Sequence, residues 1–283
     1  CTEFHYQPNE HTRRMLSNKA DTVALFFPSV KPNAPDKLDN TIDINFGACM
    51  LGAQKLLAEH GINLLLTEVT KSFIDEKRYL KMVRGKMIDG ILIWGMLEKD
   101  DYIYELLQEE FPVVMLQNEK ENCNCTRVIA DDYNGMAALT EKVIAAGHRK
   151  IALARPSQGA STGRERLRGV LDTLKKHKLT PHYQSSEDNY GYSFGQRTAA
   201  EIIKNAPGTT CVIASNDMAA WGCIERLKES GINVPYDISI TGADGIFLPG
   251  KQRVDSFYSP SYEIGSTGAG LLLKKIEGEN TEE

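Results

Sequence analysis

From Thr22 onward, short apolar runs alternate with longer stretches in which apolar residues recur at helical spacing. Thr22-Val23-Ala24-Leu25-Phe26-Phe27 is rich in β-formers and is stopped by Pro28. Phe46, Cys49, Met50, Ala53, Leu56 and Leu57 then fall three or four residues apart, one face of an amphipathic helix that Gly61 ends. Asn63–Thr67 predicts the next strand. A polar-faced helix with Tyr79, Leu80 and Val83 leads to a strand over Ile88–Trp94, and a helix over Tyr102–Glu110 leads to Pro112–Leu116. Val128–Ala130 reads as a strand, and Met136, Leu139, Val143 and Ile144 mark a helix closed by Gly147. Beyond it the pattern predicts strand Ile151–Ala154, helices over Glu165–His177 and Phe194–Lys204, and strand Thr210–Ala214. A helix over Met218–Glu229, strand Ile238–Thr241 and a last helix over Tyr262–Ile276 complete it.

Apolar strands followed by crossover helices predict an α/β fold built on mostly parallel sheet. The units are too many for one strongly twisted open sheet, so two doubly wound subdomains fit better. In such folds ligands bind beyond the carboxyl ends of the strands, which makes the loops after strands the place to look for chemistry. The segment Ser29–Asp43 is longer than most loops of α/β units.

Composition narrows the function. The 283 residues are 41% hydrophobic and 25% charged, as in ordinary globular domains. No window approaches the roughly 18 consecutive apolar residues of a membrane span, and the polar N-terminus has no signal-peptide core; a cytoplasmic location with no membrane contact is expected. The net charge of −5 argues against a surface that grips nucleic acid over its whole extent. Cys49, Cys211 and Cys223 sit among apolar residues, and Cys123-Asn124-Cys125 has no second pair to complete a zinc site. Neither a dinucleotide-binding glycine motif, nor a P-loop, nor a nucleophile elbow occurs. No catalytic residue, no metal and no cofactor is expected, and the chain does not read as an enzyme.

Several segments resemble motifs of the LacI/GalR family of transcription regulators. Ile88-Asp89-Gly90-Ile91, Val128-Ile129-Ala130-Asp131-Asp132-Tyr133-Asn134-Gly135 and Gly147-His148-Arg149-Lys150-Ile151-Ala152 are three of them. Arg164-Glu165-Arg166-Leu167-Arg168-Gly169, Ala214-Ser215-Asn216-Asp217-Met218-Ala219-Ala220-Trp221-Gly222 and Val234-Pro235-Tyr236-Asp237-Ile238-Ser239-Ile240-Thr241-Gly242-Ala243-Asp244 are the others. Each is weak alone; in this order, from about Gln7 to Gly278, they are specific together. The resemblance implies two doubly wound parallel-sheet subdomains of periplasmic binding protein type I with an effector cleft between them. The expected division is 21–130 plus 259–283 for the N-terminal subdomain and 131–258 for the C-terminal one. Residues 1–20 would be the remnant of a headpiece and hinge helix.

The fold is shared with periplasmic solute-binding proteins of transporters, which is the alternative reading. Tyr6-Gln7-Pro8-Asn9-Glu10-His11-Thr12-Arg13-Arg14-Met15-Leu16 favours the regulator, because it resembles the segment where a headpiece passes into the hinge helix. The resemblance implies that Arg13, Arg14 and Met15 contact operator DNA, with Met15 as the apolar wedge. The helix-turn-helix expected before Cys1 and the closing strand expected after Glu283 would complete the family's plan. A homodimer or a tetramer is implied.

For the effector, most simply a sugar or sugar derivative, the resemblance implies Asp244 as acceptor for adjacent hydroxyls and an arginine as bidentate donor. Arg164 and Arg166 both fall near that arginine, and the alignment favours Arg164. Asn216 is expected on the ligand, with Asp217 capping the following helix, and Tyr190 as the stacking aromatic. Asn45, Phe46 and Ser259 are further candidates.

Overall fold

The computed structural model describes residues 19–29 and 44–279, and two five-stranded sheets form its frame. The first contains β1 (Thr22–Pro28), β2 (Asn63–Val69), β3 (Gly90–Trp94), β4 (Val113–Leu116) and β5 (Thr126–Val128), in the order β2-β1-β3-β4-β5. The second contains β6 (Ile151–Ala154), β7 (Tyr183–Gln184), β8 (Cys211–Ala214), β9 (Ser239–Asp244) and β10 (Asp255–Tyr258), in the order β10-β9-β8-β6-β7. Every strand pairing is parallel. Parallel pairing needs crossovers, and helices supply them. They are α1 (Ile44–Glu59), α2 (Lys71–Asp75), α3 (Arg78–Arg84), α4 (Tyr102–Gln108), α5 (Asp132–Ala145), α6 (Ser161–Lys176), α7 (Tyr192–Asn205), α8 (Asp217–Glu229) and α9 (Ser261–Ile276). Among the described residues no helix is long and apolar enough to cross a membrane.

The central strands β3, β4, β6 and β8 are buried almost throughout, which is why they read as continuous apolar runs. Sheet edges behave otherwise. β2 leaves Leu65 and Leu66 exposed. The half-exposed edge strands β7 and β10 lie in stretches too polar to signal a strand. β5 sits at Thr126–Val128, slightly before the predicted Val128–Ala130.

Among the described residues the chain crosses between the sheets twice, from β5 into α5 and from β10 into α9. The second crossing returns α9 to the first sheet, where it packs against α1. A Cβ on Gly52 would land on the Tyr262 carbonyl oxygen, and one on Gly265 on that of Cys49. Two glycines thus set the approach of these helices. Arg13, Arg14, Met15 and most of the loop 29–43 lie outside the described residues.

Candidate functional site

The carboxyl ends of β3 and β4 face those of β6, β8 and β9 across a cleft, and the deepest charged group there is Arg166 on α6. Its guanidinium donates from Nε to Asp132 at 2.7 Å, from Nη1 to the Ser215 carbonyl at 3.1 Å and from Nη2 to Asp244 at 2.6 Å. The arginine and both carboxylates are buried. Burial works against the Arg166 charge, but Asp244 and Asp132 outweigh it and hold the guanidinium protonated. Burial pushes the Asp132 carboxyl upward, against the pull of Arg166. Charges this deep need such pairing, because an isolated buried ion loses far more solvation than it regains.

The facing wall is aromatic. Trp94 ends β3, with its ring centroid 5.0 Å from Phe46, which lies 4.9 Å from Phe27. Between the walls is a cavity of about 170 Å³, bounded by Pro28, Asn45, Trp94, Gly95, Leu97, Gln117 and Asn118 on one side. Ala160, Thr162, Arg166, Tyr190, Asn216 and Asp244 bound the other. Three polar atoms of these residues, Trp94 Nε1, Gln117 Oε1 and the Tyr190 hydroxyl, are buried with no hydrogen-bond partner among the described residues. Buried polar groups are satisfied as a rule, so three orphans around one cavity call for a ligand's polar groups. Burial raises the Tyr190 phenol above its usual range, so it enters the site as a neutral donor and acceptor.

Two of the eight non-glycine residues with positive φ among the described ones stand at the same place. Asp244 has φ 106° and Gln117 φ 71°, values that favour glycine. Each stands at a strand's carboxyl end and lines the cavity. Strain of this kind costs about 1–3 kcal/mol per residue and clusters at functional sites.

A set of polar contacts joins the subdomains at the cleft mouth, all centred on the first turn of α6. The N-cap of α6 is Ala160, which has no side-chain acceptor. The cap is supplied by the other subdomain: Asn118 Oδ1 accepts from the Thr162 amide at 3.2 Å and lies 2.7 Å from the Thr162 hydroxyl. The Glu119 amide donates to the Ser161 hydroxyl at 2.8 Å, and the Glu98 amide to the Gly159 carbonyl at 2.9 Å. Arg164 pairs with Glu98 at 3.0 Å.

Comparison with known proteins places this architecture. The family described as periplasmic binding proteins and sugar binding domain of LacI family matches residues 43–281. The chain belongs to that family. Among curated relatives, the probable HTH-type transcriptional repressor ExuR of Bacillus subtilis is 25% identical, over 99% of this chain and 81% of its own. The HTH-type transcriptional regulator CelR of Thermobifida fusca is 28% identical, over 99% and 82%. The solved structure of a CelR–cellobiose complex superposes with a TM-score of 0.81, at 24% identity, over 99% of this chain and 88% of that one. A LacI family regulator from Enterococcus faecium with bound ribose gives 0.75, at 25% identity and 92% of each chain. The LacI/GalR kinship expected from the motifs holds, and it is to regulators and not to enzymes.

Within this LacI-family frame the expected residues separate. Asp244, Tyr190, Asn216 and Asn45 line the cavity. Arg166 does so too, whereas Arg164 lies off it, on Glu98; two positions along a helix turn a side chain to the opposite face. Phe46 stands behind Trp94 and supports the wall. Ser259 is buried behind Gln117, accepting from its Nε2 at 3.3 Å. Asn216 takes the capping role expected of Asp217, accepting from the Ala219 amide at 2.9 Å, and it also lines the cavity. Asp217 turns away to accept from the Ile246 amide at 2.6 Å and the Ser256 hydroxyl at 2.7 Å. Burial outweighs these bonds and pushes its carboxyl up to about 7.

Asp132, Trp94, Gln117, Asn118 and Thr162 escaped the sequence reading. Asp132 had a legible signal, an acidic residue opening a helix just after a strand. The other four carry none, because their importance comes from contacts across the cleft.

Proposed function

We propose that the chain is the effector-sensing core of a DNA-binding transcription regulator that acts at operator DNA in the cytoplasm. A small molecule, a sugar or sugar derivative, binds in the cleft between the two sheets and controls operator binding. The observation that carries this reading is the trio of unpartnered buried polar atoms, Trp94 Nε1, Gln117 Oε1 and the Tyr190 hydroxyl, around one cavity. Asp244 and Asn216, from the ends of β9 and β8, and Asn45, from α1, would supply further polar edges, and Trp94 the apolar face. The strained backbone at Asp244 and Gln117 supports the same place.

Ligand bound to both walls favours one angle between them, and this biases whatever the N-terminal segment with Arg13, Arg14 and Met15 contacts. A homodimer fits the exposed Leu65 and Leu66 of edge strand β2, since monomers seldom leave a strand edge both apolar and open. The kinship to repressors over nearly the whole chain weighs against a solute-binding role.

The test is in the host. Transcript levels should respond to the effector in the parent strain, and the response should weaken strongly when Tyr190→Phe is introduced at the natural locus. An equal response in that variant strain would refute a sensor built on this cleft.

A further inference from the structure

We propose that the cleft selects an uncharged sugar of single-ring size and rejects its acidic counterpart, with Asp132 as the residue that sets this preference; the inference rests on the sensing role proposed above. Arg166 is the one cation lining the cavity among the described residues, and each of its three nitrogens already has an acceptor. Its Nε meets Asp132, its Nη2 meets Asp244 and its Nη1 meets the Ser215 carbonyl. One guanidinium against two carboxylates leaves the buried cluster with an excess of negative charge.

Among the described residues no second cation lines the cavity. Arg164 pairs with Glu98, and Lys120 donates to Asp101 and the Glu98 carbonyl. The helix N-termini that open on the cleft attract anions in general, and at each a side chain already takes one of the free amides. Asn216 takes the Ala219 amide of α8, and Asn118 takes the Thr162 amide of α6.

The unpartnered polar atoms that line the cavity are neutral and two-sided. The Trp94 indole N–H donates, the Tyr190 hydroxyl donates or accepts, and Gln117 Oε1 accepts. A sugar hydroxyl serves each of these roles. A carboxylate has no proton for Gln117 Oε1 and would face the Asp132–Asp244 excess. At an effective dielectric of about 20, one uncompensated like charge about 6 Å away weakens binding by on the order of a hundredfold. The volume, about 170 Å³, lies below the roughly 300–1,000 Å³ of sites for drug-sized ligands, which matches one ring against the Trp94 face.

Isothermal titration of the full chain tests this with neutral sugars and their acids: glucose with glucuronate, galactose with galacturonate, mannose with mannuronate, and ribose and xylose in the neutral arm. At least one neutral sugar should bind, tenfold or more tighter than its acid where it has a partner in the panel. Asp132→Asn keeps the shape of the side chain and removes its charge, and should move the acid-to-neutral ratio tenfold or more toward the acid. Tyr190→Phe should weaken the neutral sugar about tenfold. An acid that binds more tightly than its neutral partner, and loses affinity in Tyr190→Phe, overturns the charge argument while leaving the sensing cleft in place. Sugar binding that ignores Tyr190→Phe overturns the cleft reading itself. Failure of every neutral sugar to bind, or an unchanged ratio in Asp132→Asn, overturns the inference.

Discussion

Replacing Arg166 by methionine keeps most of the side chain's volume and removes the charge that two buried carboxylates share. Asp132 and Asp244, both buried, would be left facing each other without the donors that now sit 2.7 and 2.6 Å away. Breaking a buried ion pair by deleting one partner costs about 3–5 kcal/mol, against a total stability of roughly 5–15 kcal/mol. For a chain of this size that lowers the melting temperature by roughly 5–10 °C. Urea unfolding followed through Trp221, buried on α8 in the second sheet's core, reads the loss in a Trp94→Phe background. The acid side gives a sharper check. Without Arg166 the Asp132 carboxyl, which burial already pushes upward, rises further above the roughly 3.9 of an unfolded aspartate. The variant's deficit relative to the parent is therefore full above the raised value and shrinks as pH falls toward about 4. Adding Asp132→Asn and Asp244→Asn to the methionine variant should recover much of the loss at neutral pH. A deficit below about 1 kcal/mol, or one that stays constant on acidification, would refute the account of the cluster as a charge-balanced unit.

Three other outcomes follow from the geometry. Asp217, pushed up to about 7, keeps a proton in the folded chain that the unfolded chain releases near 4, so its contribution to stability falls as pH rises from about 4 to about 7 and is flat above; Asp217→Asn should remove that slope in denaturation series across the window. Asn118→Ala withdraws the borrowed cap of α6, at about 1 kcal/mol for the cap and a similar amount for the Thr162 contact; amide exchange should quicken in residues 161–165, and unchanged protection there would count against capping across the cleft. Gly52→Ala forces a methyl onto the Tyr262 carbonyl and should destabilise the first subdomain by about 1–3 kcal/mol in thermal melts.

The alternation of strands and helices was legible because central parallel strands are buried on both faces. Ile151–Ala154 and Cys211–Ala214 carry no polar residue to confuse the signal. Edge strands lose that signature: Asp255-Ser256-Phe257-Tyr258 packs mainly through Phe257 and reads as a polar turn. Which of Arg164 and Arg166 faces this cavity was legible from periodicity. The buried stripe of α6 runs through Gly163, Arg166, Gly169, Val170, Thr173 and Leu174, and Arg164 falls off it. Contacts such as Asn118 with Thr162, far apart in the chain, leave no local pattern to read. The same holds for orphaned atoms such as Trp94 Nε1, whose meaning depends on which neighbours are absent in space.

Under the proposed sensing role, the position of α6 ties ligand recognition to closure. Its first turn is capped by the opposite subdomain through Asn118, and Arg166, one turn further on, holds Asp244 at the cavity floor. A cleft that opens must uncap the helix that carries Arg166, since Ala160 offers no substitute. The cap's worth of about 1 kcal/mol is of the size of coupling energies that link distant sites in allosteric proteins, about 1–3 kcal/mol. Ligand that engages Trp94 and Gln117 on one wall and Tyr190 and Asp244 on the other adds to the same balance. It needs no separate relay, because the element it touches is the one that joins the subdomains.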